Sequence, residues 1–500
     1  MATSAPTSGD SATLTLAAGS PYIFTATPGA GGHIDLLWSA DNVSWTAFSG
    51  GPFSVATTGS VPSAALYLKA RAYGAAGTFD ATLAPAISGL TSVQVTTLQA
   101  LVSRYSNLPR QHGLYIFDGR INLANTPDGT SGTTYSAVFQ LPCTVDAVEP
   151  ILANGGGSTY TITAMSAAAV PDDGSDLNGN SQTLTVGSVT GKDTVPALAG
   201  TTQPGLLVGN RMLLANSAGY RSVMVRVHLP NTSGAVTMLG SSGDNFTNWA
   251  TRTDGERVSF RAQVGDQTAT AGAFTSTTQV SYCPIIGVKF YARGKRVVTL
   301  MLNGDSIDSG RGTYKADGPV RQALRLLSRS GYVVTVANLA WAGASSSNSR
   351  GTPALAFAAG LVPDVLIRAG ASPNDTGGAI TDASTVNIWR QTCAEISIAC
   401  AAYGVQAAFR TGIPANNTTD IPAGAETWGA TDSLMQSWNA EMLTWRASGI
   451  AVWDWWSAVA GPIGVNGNVT LGANTSDGTH PNDAGNAKIA VAMAISGLLF

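Results

Sequence analysis

The spacing of apolar and polar positions changes character three times along the chain. Up to about residue 85, short β-type runs alternate with turns: Ala12–Leu16, Tyr22–Thr27, His33–Ser39, Trp45–Phe48, Ala65–Tyr73 and Thr78–Leu83. Runs of this length between Gly-, Pro- and Asn-rich turns predict a small β-sandwich over 1–86. Over 87–106 the period becomes helical, with Val95, Leu98, Val102 and Tyr105 spaced 3-4-3. This seam predicts a linker helix within 87–109, packed either on a neighbouring domain or against copies of itself as a trimeric neck.

From 110 to 295 the strand pattern returns, with Ser136–Leu141, Thr159–Met165, Thr183–Val186, Ser222–Leu229, Ala235–Leu239, Arg257–Gln263 and Gly287–Tyr291 as examples. Turns such as Pro127-Asp128-Gly129 and Pro171-Asp172-Asp173-Gly174 separate them. A second all-β module, sandwich or jelly-roll-like, is expected there. From 296 to 500 strands and helices alternate. Strands are predicted at Val297–Leu302, Val333–Leu339, Asp364–Arg368, Gln406–Thr411 and Ala451–Trp455. Helices are predicted at Val320–Ser328, Val386–Tyr403, Ser433–Arg446 and from about Asn482 to Leu498. Such alternation predicts an α/β domain with a parallel sheet covered on both faces.

Length agrees with this division, since 500 residues exceed one compact core. Only 11% of residues are charged, well below the usual quarter, and Gly, Ala, Ser and Thr fill the gap. A net charge of −3 gives no electrostatic case for nucleic acid or an anionic membrane. No apolar run reaches the length of a membrane span. The start, MATSAPTSGDSATLTL, lacks a cationic segment leading into an apolar one, so no secretory signal is legible. The four cysteines form no CxxC pair and no zinc-type cluster. Cys393 and Cys400, seven apart on a helix, lie about 10 Å apart and cannot bridge. Cys143 and Cys283 are either bridged or free.

Candidate chemistry begins at VVTLMLNGDSIDSG, Val297–Gly310. A buried strand there ends in a Gly304-Asp305-Ser306 turn before an amphipathic helix, and open α/β sheets hold ligands at this edge. Ser306 either caps the following helix or is a nucleophile, for which it needs a base. Of four histidines, only His480 lies in the α/β region, in Asp477-Gly478-Thr479-His480-Pro481. Asp477 can accept from its Nδ1, leaving Nε2 to take the serine proton. Gly343 in NLAWAGAS is either a turn glycine or an oxyanion donor, and Asn374 in SPND offers an amide that cannot ionise.

Ser, Gly, Asn and His in this order, with Asp three residues before His, resemble the SGNH (GDSL-like) hydrolase family of esterases over roughly the last two-fifths of the chain. The resemblance implies a three-layer α/β SGNH-hydrolase domain over 296–500. It implies a catalytic Ser306, His480 and Asp477, and an oxyanion hole from the Ser306 N–H, Gly343 and Asn374. Two departures stand out. The family's Gly-x-Asn-Asp block reads Ser372-Pro373-Asn374-Asp375, in which proline fixes the backbone before Asn374, and Ile307 replaces Leu. Asp308 and Asp375 are expected to be solvated or to cap helices. Serine acyl chemistry needs no cofactor or metal.

The leading expectation is a serine esterase removing acyl groups, most simply O-acetyl, from a polysaccharide. Its partner is then an acylated glycan or another ester. Eight of eleven tryptophans fall after residue 296, including Trp341, Trp428, Trp453, Trp455 and Trp456. They are either core or sugar platforms. A lipase or acyl thioesterase would require an apolar lid over Ser306, and no insertion of that composition is present. A phage tail-fibre or tailspike component, with or without esterase activity, would be a homotrimeric virion part.

Overall fold

In a computed structural model, the chain divides into two compact units, Met1–Leu90 and Thr91–Phe500. Described in the first are residues 2–5, 10, 13–15, 22–28, 30–47, 54, 57–61, 65, 67–73 and 77–83. Described in the second are 112–117, 121–125, 130–199, 203–230, 236–240, 257–310 except 278 and 281, 318–326, 332–376, 383–413, 430–459, 474–475 and 480–495. The linker helix expected within 87–109, the turn at 127–129, Trp428 and Asp477 lie outside the described residues.

In the first unit the alternating apolar positions of His33–Ser39 pair with Tyr67–Tyr73. Two four-stranded antiparallel sheets result. One runs Ala2–Ala5, Gly77–Leu83, Tyr22–Thr27, Thr57–Ser60, and the other Leu14–Thr15, Tyr67–Tyr73, His33–Ser39, Thr46–Ala47. Phe24 and Ala26 from the first share a core with Ile34, Leu36, Leu68 and Ala70 from the second, and Trp38 packs against it. Trp45 lies half-buried under the Lys69 ammonium, 4.1 Å from its ring centroid.

The second unit opens with strands β1 (His112–Ile116), β2 (Thr133–Gln140), β3 (Val145–Asn154), β4 (Ala164–Val170), β5 (Thr185–Gly187), β6 (Gly205–Val208) and β7 (Ser222–Leu229). Then come β8 (Val258–Val264), β9 (Ile285–Ala292), β10 (Arg296–Asn303), β11 (Tyr332–Asn338), β12 (Val365–Ala369), β13 (Gln406–Arg410) and β14 (Ala451–Trp453). Helices among the described residues are α1 (Pro319–Leu326), α2 (Ser346–Ser349), α3 (Thr352–Ala358), α4 (Ala383–Tyr403), α5 (Ala430–Thr444), α6 (Trp455–Val459) and α7 (Asp483–Ile495). A five-stranded antiparallel sheet has the order β5-β4-β7-β2-β8.

The second sheet differs from the expected parallel one. It has ten strands in the order β6-β3-β9-β1-β11-β10-β12-β13-β14, with Met212–Leu213 also on β3. It is antiparallel from β6 to β1 and parallel from β1 to β14. It runs unbroken across the division placed at 295/296. The join is a single parallel bridge, Ala337 to Ile116. Two threonine hydroxyls complete it: Thr299 Oγ1 accepts from the Leu114 N–H at 3.1 Å, and Thr335 Oγ1 donates to the Leu114 carbonyl at 3.0 Å. Each half thereby covers an edge that would otherwise present unpaired backbone.

One face of the parallel half buries Phe357 of α3, Trp389, Cys393, Ile396 and Cys400 of α4, and Met435, Trp438 and Met442 of α5. The other buries Val320 and Ala323 of α1, Trp455, Trp456 and Val459 of α6, and Ile489, Ala490 and Met493 of α7. Trp341, Trp389, Trp438, Trp453, Trp455 and Trp456 are thus core residues and not sugar platforms. All four cysteines are buried free thiols, so Cys143 and Cys283 are not bridged.

Candidate functional site

The apolar run of β10 (RVVTLMLN) is buried from Val297 onward and delivers the chain to the carboxyl edge of the parallel half. Gly304 must be glycine, because a Cβ there would come within 1.8 Å of Asp308 Oδ2. The turn is built by carboxylates: Asp308 Oδ2 accepts from the Asp305 N–H (3.1 Å) and Asp305 Oδ1 from the Ile307 N–H (2.8 Å). Ser309 closes it, donating through its N–H to the Asp305 carbonyl (3.1 Å) and through Oγ to the Ser306 carbonyl (2.7 Å). Residues 304–310 are therefore turns, and α1 begins at Pro319, one residue before the Val320 start that the spacing predicts.

Asp308 is not solvated, contrary to expectation. Its carboxylate and that of Asp305 are buried against the Arg410 guanidinium at the end of β13. Arg410 Nε and Nη2 each approach Asp308 at 2.6 Å, and Nη2 reaches Asp305 Oδ1 at 3.1 Å. Its Nη1 donates to the Thr411 carbonyl (3.1 Å), and the Trp455 ring lies 4.8 Å away. Burial opposes the Arg410 charge, but Asp308 and Asp305 outweigh it and hold the pKa above the usual guanidinium value. The Ser306 turn thus hangs on a buried two-carboxylate, one-guanidinium cluster.

His480 stands opposite, with Nε2 2.8 Å from Ser306 Oγ and the imidazole buried. Its segment is clamped. Thr475 bridges Pro481, the Asn482 N–H donates to the Asn474 carbonyl (2.8 Å), and Thr475 Oγ1 donates to the His480 carbonyl (2.8 Å). Asn482 Oδ1 then accepts from the Gly485 N–H (3.0 Å), an N-cap for α7. Asn486 Nδ2 holds the Pro481 carbonyl at 2.6 Å.

Gly343 lies exposed after β11 with φ +81°, a left-handed conformation that favours glycine. The Trp341 N–H donates to the Gly304 carbonyl (3.1 Å), which ties this loop to the Ser306 turn. Asn374 follows β12 in a short 3-10 turn, Pro373–Thr376, and is exposed. Its amide donates to the Ala344 carbonyl (3.1 Å) and to Ser372 Oγ (3.3 Å). Asn374 and the Gly343 loop are therefore brought together, with the amide nitrogen already engaged. Asp375 accepts from the Ser346 N–H and Oγ, the Ser372 N–H and Trp389 Nε1, at 2.5 to 3.1 Å. It both serves the first turn of α2 and staples the loops after β11 and β12.

Arg410 and Arg368 support the site, although no sequence motif singles them out. Arg368, buried on β12, donates to Asn303 Oδ1 (2.9 Å), Ser349 Oγ (2.7 Å) and the Ser346 carbonyl (3.1 Å). With no carboxylate among these partners, burial lowers its pKa. A signal was present all the same: QAAFR and VLIRA place arginine at the end of buried strands, where a charge demands partners.

No protein-family model matches the chain, and no curated protein matches it. Solved structures do. A lipase/acylhydrolase from Enterococcus faecalis is 17% identical over 40% of this chain and 95% of its own, with a TM-score of 0.30. A carbohydrate acetylesterase from Sinorhizobium meliloti is 14% identical over 41% of this chain and all (100%) of its own, with a TM-score of 0.31. A family two carbohydrate esterase from Clostridium thermocellum, solved with cellohexaose, is 14% identical over 76% of this chain and 97% of its own, with a TM-score of 0.31. The chain is similar to these lipase/acylhydrolase and carbohydrate esterase structures over the stretches they cover.

Proposed function

We propose that the protein is a serine ester hydrolase in which Ser306 is the nucleophile and His480 its general base. The observation that carries this reading is the 2.8 Å contact between His480 Nε2 and Ser306 Oγ at the carboxyl edge of the parallel strands. Ser306 Oγ attacks the acyl carbonyl while its proton passes to Nε2. The tetrahedral oxyanion is held by the Ser306 N–H, the Gly343 N–H and the Asn374 amide, which exchanges one of its present acceptors for the oxyanion. As the C–O bond breaks, the imidazolium gives its proton to the leaving alcohol. Water then attacks the acyl-enzyme, with His480 as base again. Asp477 is assigned to Nδ1, where it holds the tautomer that leaves Nε2 free as acceptor.

The substrate class we propose is an O-acetylated polysaccharide. Two strand-rich regions precede the site, and a chain with only 11% charged residues suits a neutral polyhydroxylated partner. Acetate release from a panel of acetylated glycans, beside p-nitrophenyl acetate, tests both levels. Turnover of both supports the full reading. Turnover of the small ester alone removes the glycan, and turnover of neither removes the hydrolase.

A further inference from the structure

The face of the five-stranded sheet turned away from its apolar core carries an unbalanced charge. Register places Ser166, Arg226, Ser136 and Arg261 side by side across β4, β7, β2 and β8. Adjacent strands are about 4.8 Å apart, so short Ser136 separates two long cationic side chains. Ser259 lies on the same face, two residues before Arg261. Arg226, Ser136, Ser166 and Ser259 are all buried, and Arg261 is half-buried.

Both arginines fasten loops over this face. Arg226 donates through Nη1 to the carbonyls of Gln267 (2.7 Å) and Thr270 (3.3 Å) and through Nη2 to that of Asn178 (2.5 Å). Arg261 donates through Nη1 to Asn178 Oδ1 and to the Ser276 carbonyl. None of these acceptors is a carboxylate, and among the described residues neither arginine has an ion pair. Asp176, whose field reaches Arg226, spends its oxygens on the N–H groups of Asn180 and Ser181 and on Gln182. Burial pulls the Arg226 pKa down to about 10, against Asp176, and lowers that of Arg261 as well. Meanwhile Nε of both arginines and Oγ of Ser136, Ser166 and Ser259 have no hydrogen-bond partner.

Orphaned buried polar groups are rare in folded proteins and mark a water or an ion. Water would satisfy hydrogen bonds here but not the two positive charges. We propose that a monovalent anion of halide size binds between Arg226 and Arg261, accepting from both Nε–H groups and the Ser136 hydroxyl. The covered setting and the single serine-wide gap suit a monatomic ion and not a sugar acid. Bound there, it would offset one of the two positive charges that hold both loops.

The test uses the full chain at constant ionic strength in sodium gluconate, chloride or bromide. Halide raises Tm by about 1–3 °C between 1 and 100 mM, following the logarithm of its concentration. Gluconate, too large to enter, has no such effect. Replacing Arg226 releases both loops and can unfold the region, so Arg261→Gln and Ser136→Ala carry the test. The halide increment vanishes in Arg261→Gln and needs about tenfold more halide in Ser136→Ala. A bromide-grown crystal shows an anomalous peak between the two Nε atoms. Equal Tm in all three salts, an increment that survives Arg261→Gln, or an ordered water alone at the position overturns the proposal.

Discussion

Replacing Arg410 by methionine tests the architecture of the Ser306 turn. Methionine keeps much of the side-chain volume against Trp455 but leaves Asp305 and Asp308 buried together with no cation. Removing one partner of a buried ion pair costs about 3–5 kcal/mol, because the remaining charge stays desolvated. Here two carboxylates are stranded, and Asp305 Oδ2 already has no hydrogen-bond partner. The expected loss is therefore at the upper end, about 4–5 kcal/mol near pH 8. Burial already holds the Asp308 carboxyl above its ordinary value with Arg410 in place, and in the variant burial and mutual repulsion raise a carboxylate's folded pKa further above its unfolded value. The folded state then binds more protons than the unfolded state, so stability rises as pH falls toward that raised pKa, and the deficit against the parent narrows between pH 8 and 5. Urea unfolding followed by tryptophan fluorescence reads this, since nine of eleven tryptophans lie after residue 91. Asp308→Asn in the Arg410→Met background should restore part of the loss, with a coupling of about 1–3 kcal/mol. A loss below about 1 kcal/mol, or one that is independent of pH, would refute the reasoning.

Other consequences are equally open to measurement. Gly304→Ala should destabilise the turn by more than a typical surface change, about 1–3 kcal/mol, because Asp308 already occupies the Cβ position. Asn374→Ala should lower kcat on p-nitrophenyl acetate by about 10²–10³, with the fold unchanged by circular dichroism. An intact rate would leave the Asn374 amide a brace for the Ala344 carbonyl alone. Burial pushes the Cys143 thiol up to about 11 and those of Cys393 and Cys400 up to about 12. Native protein at pH 8 should therefore resist a thiol reagent, and denatured protein should titrate all four cysteines.

Element boundaries were readable where apolar runs met turn residues: strand Ser222–Leu229 and the end of helix α4 at Tyr403 fall as the spacing predicts. The continuity of the ten-stranded sheet was not. HGLYI of β1 is five residues of ordinary strand, and nothing local says that it joins β11 through one bridge and two threonine hydroxyls. The contact between Ser306 and His480, 174 residues apart, was expected from the resemblance to the SGNH family and not from any local pattern. The engaged state of the Asn374 amide was not, since it depends on how Pro373 aims the 3-10 turn. Asp308 was misjudged because its neighbours in sequence give no hint of Arg410, which is a hundred residues away and reaches it only across the sheet.

The most direct measurement of the central claim is mass-spectrometric mapping of a fluorophosphonate probe on the full chain. An activated serine hydroxyl predicts one equivalent of label on Ser306, with labelling slowed by about 10³-fold or more in His480→Ala. Label on another residue, or an unchanged labelling rate in His480→Ala, would contradict it.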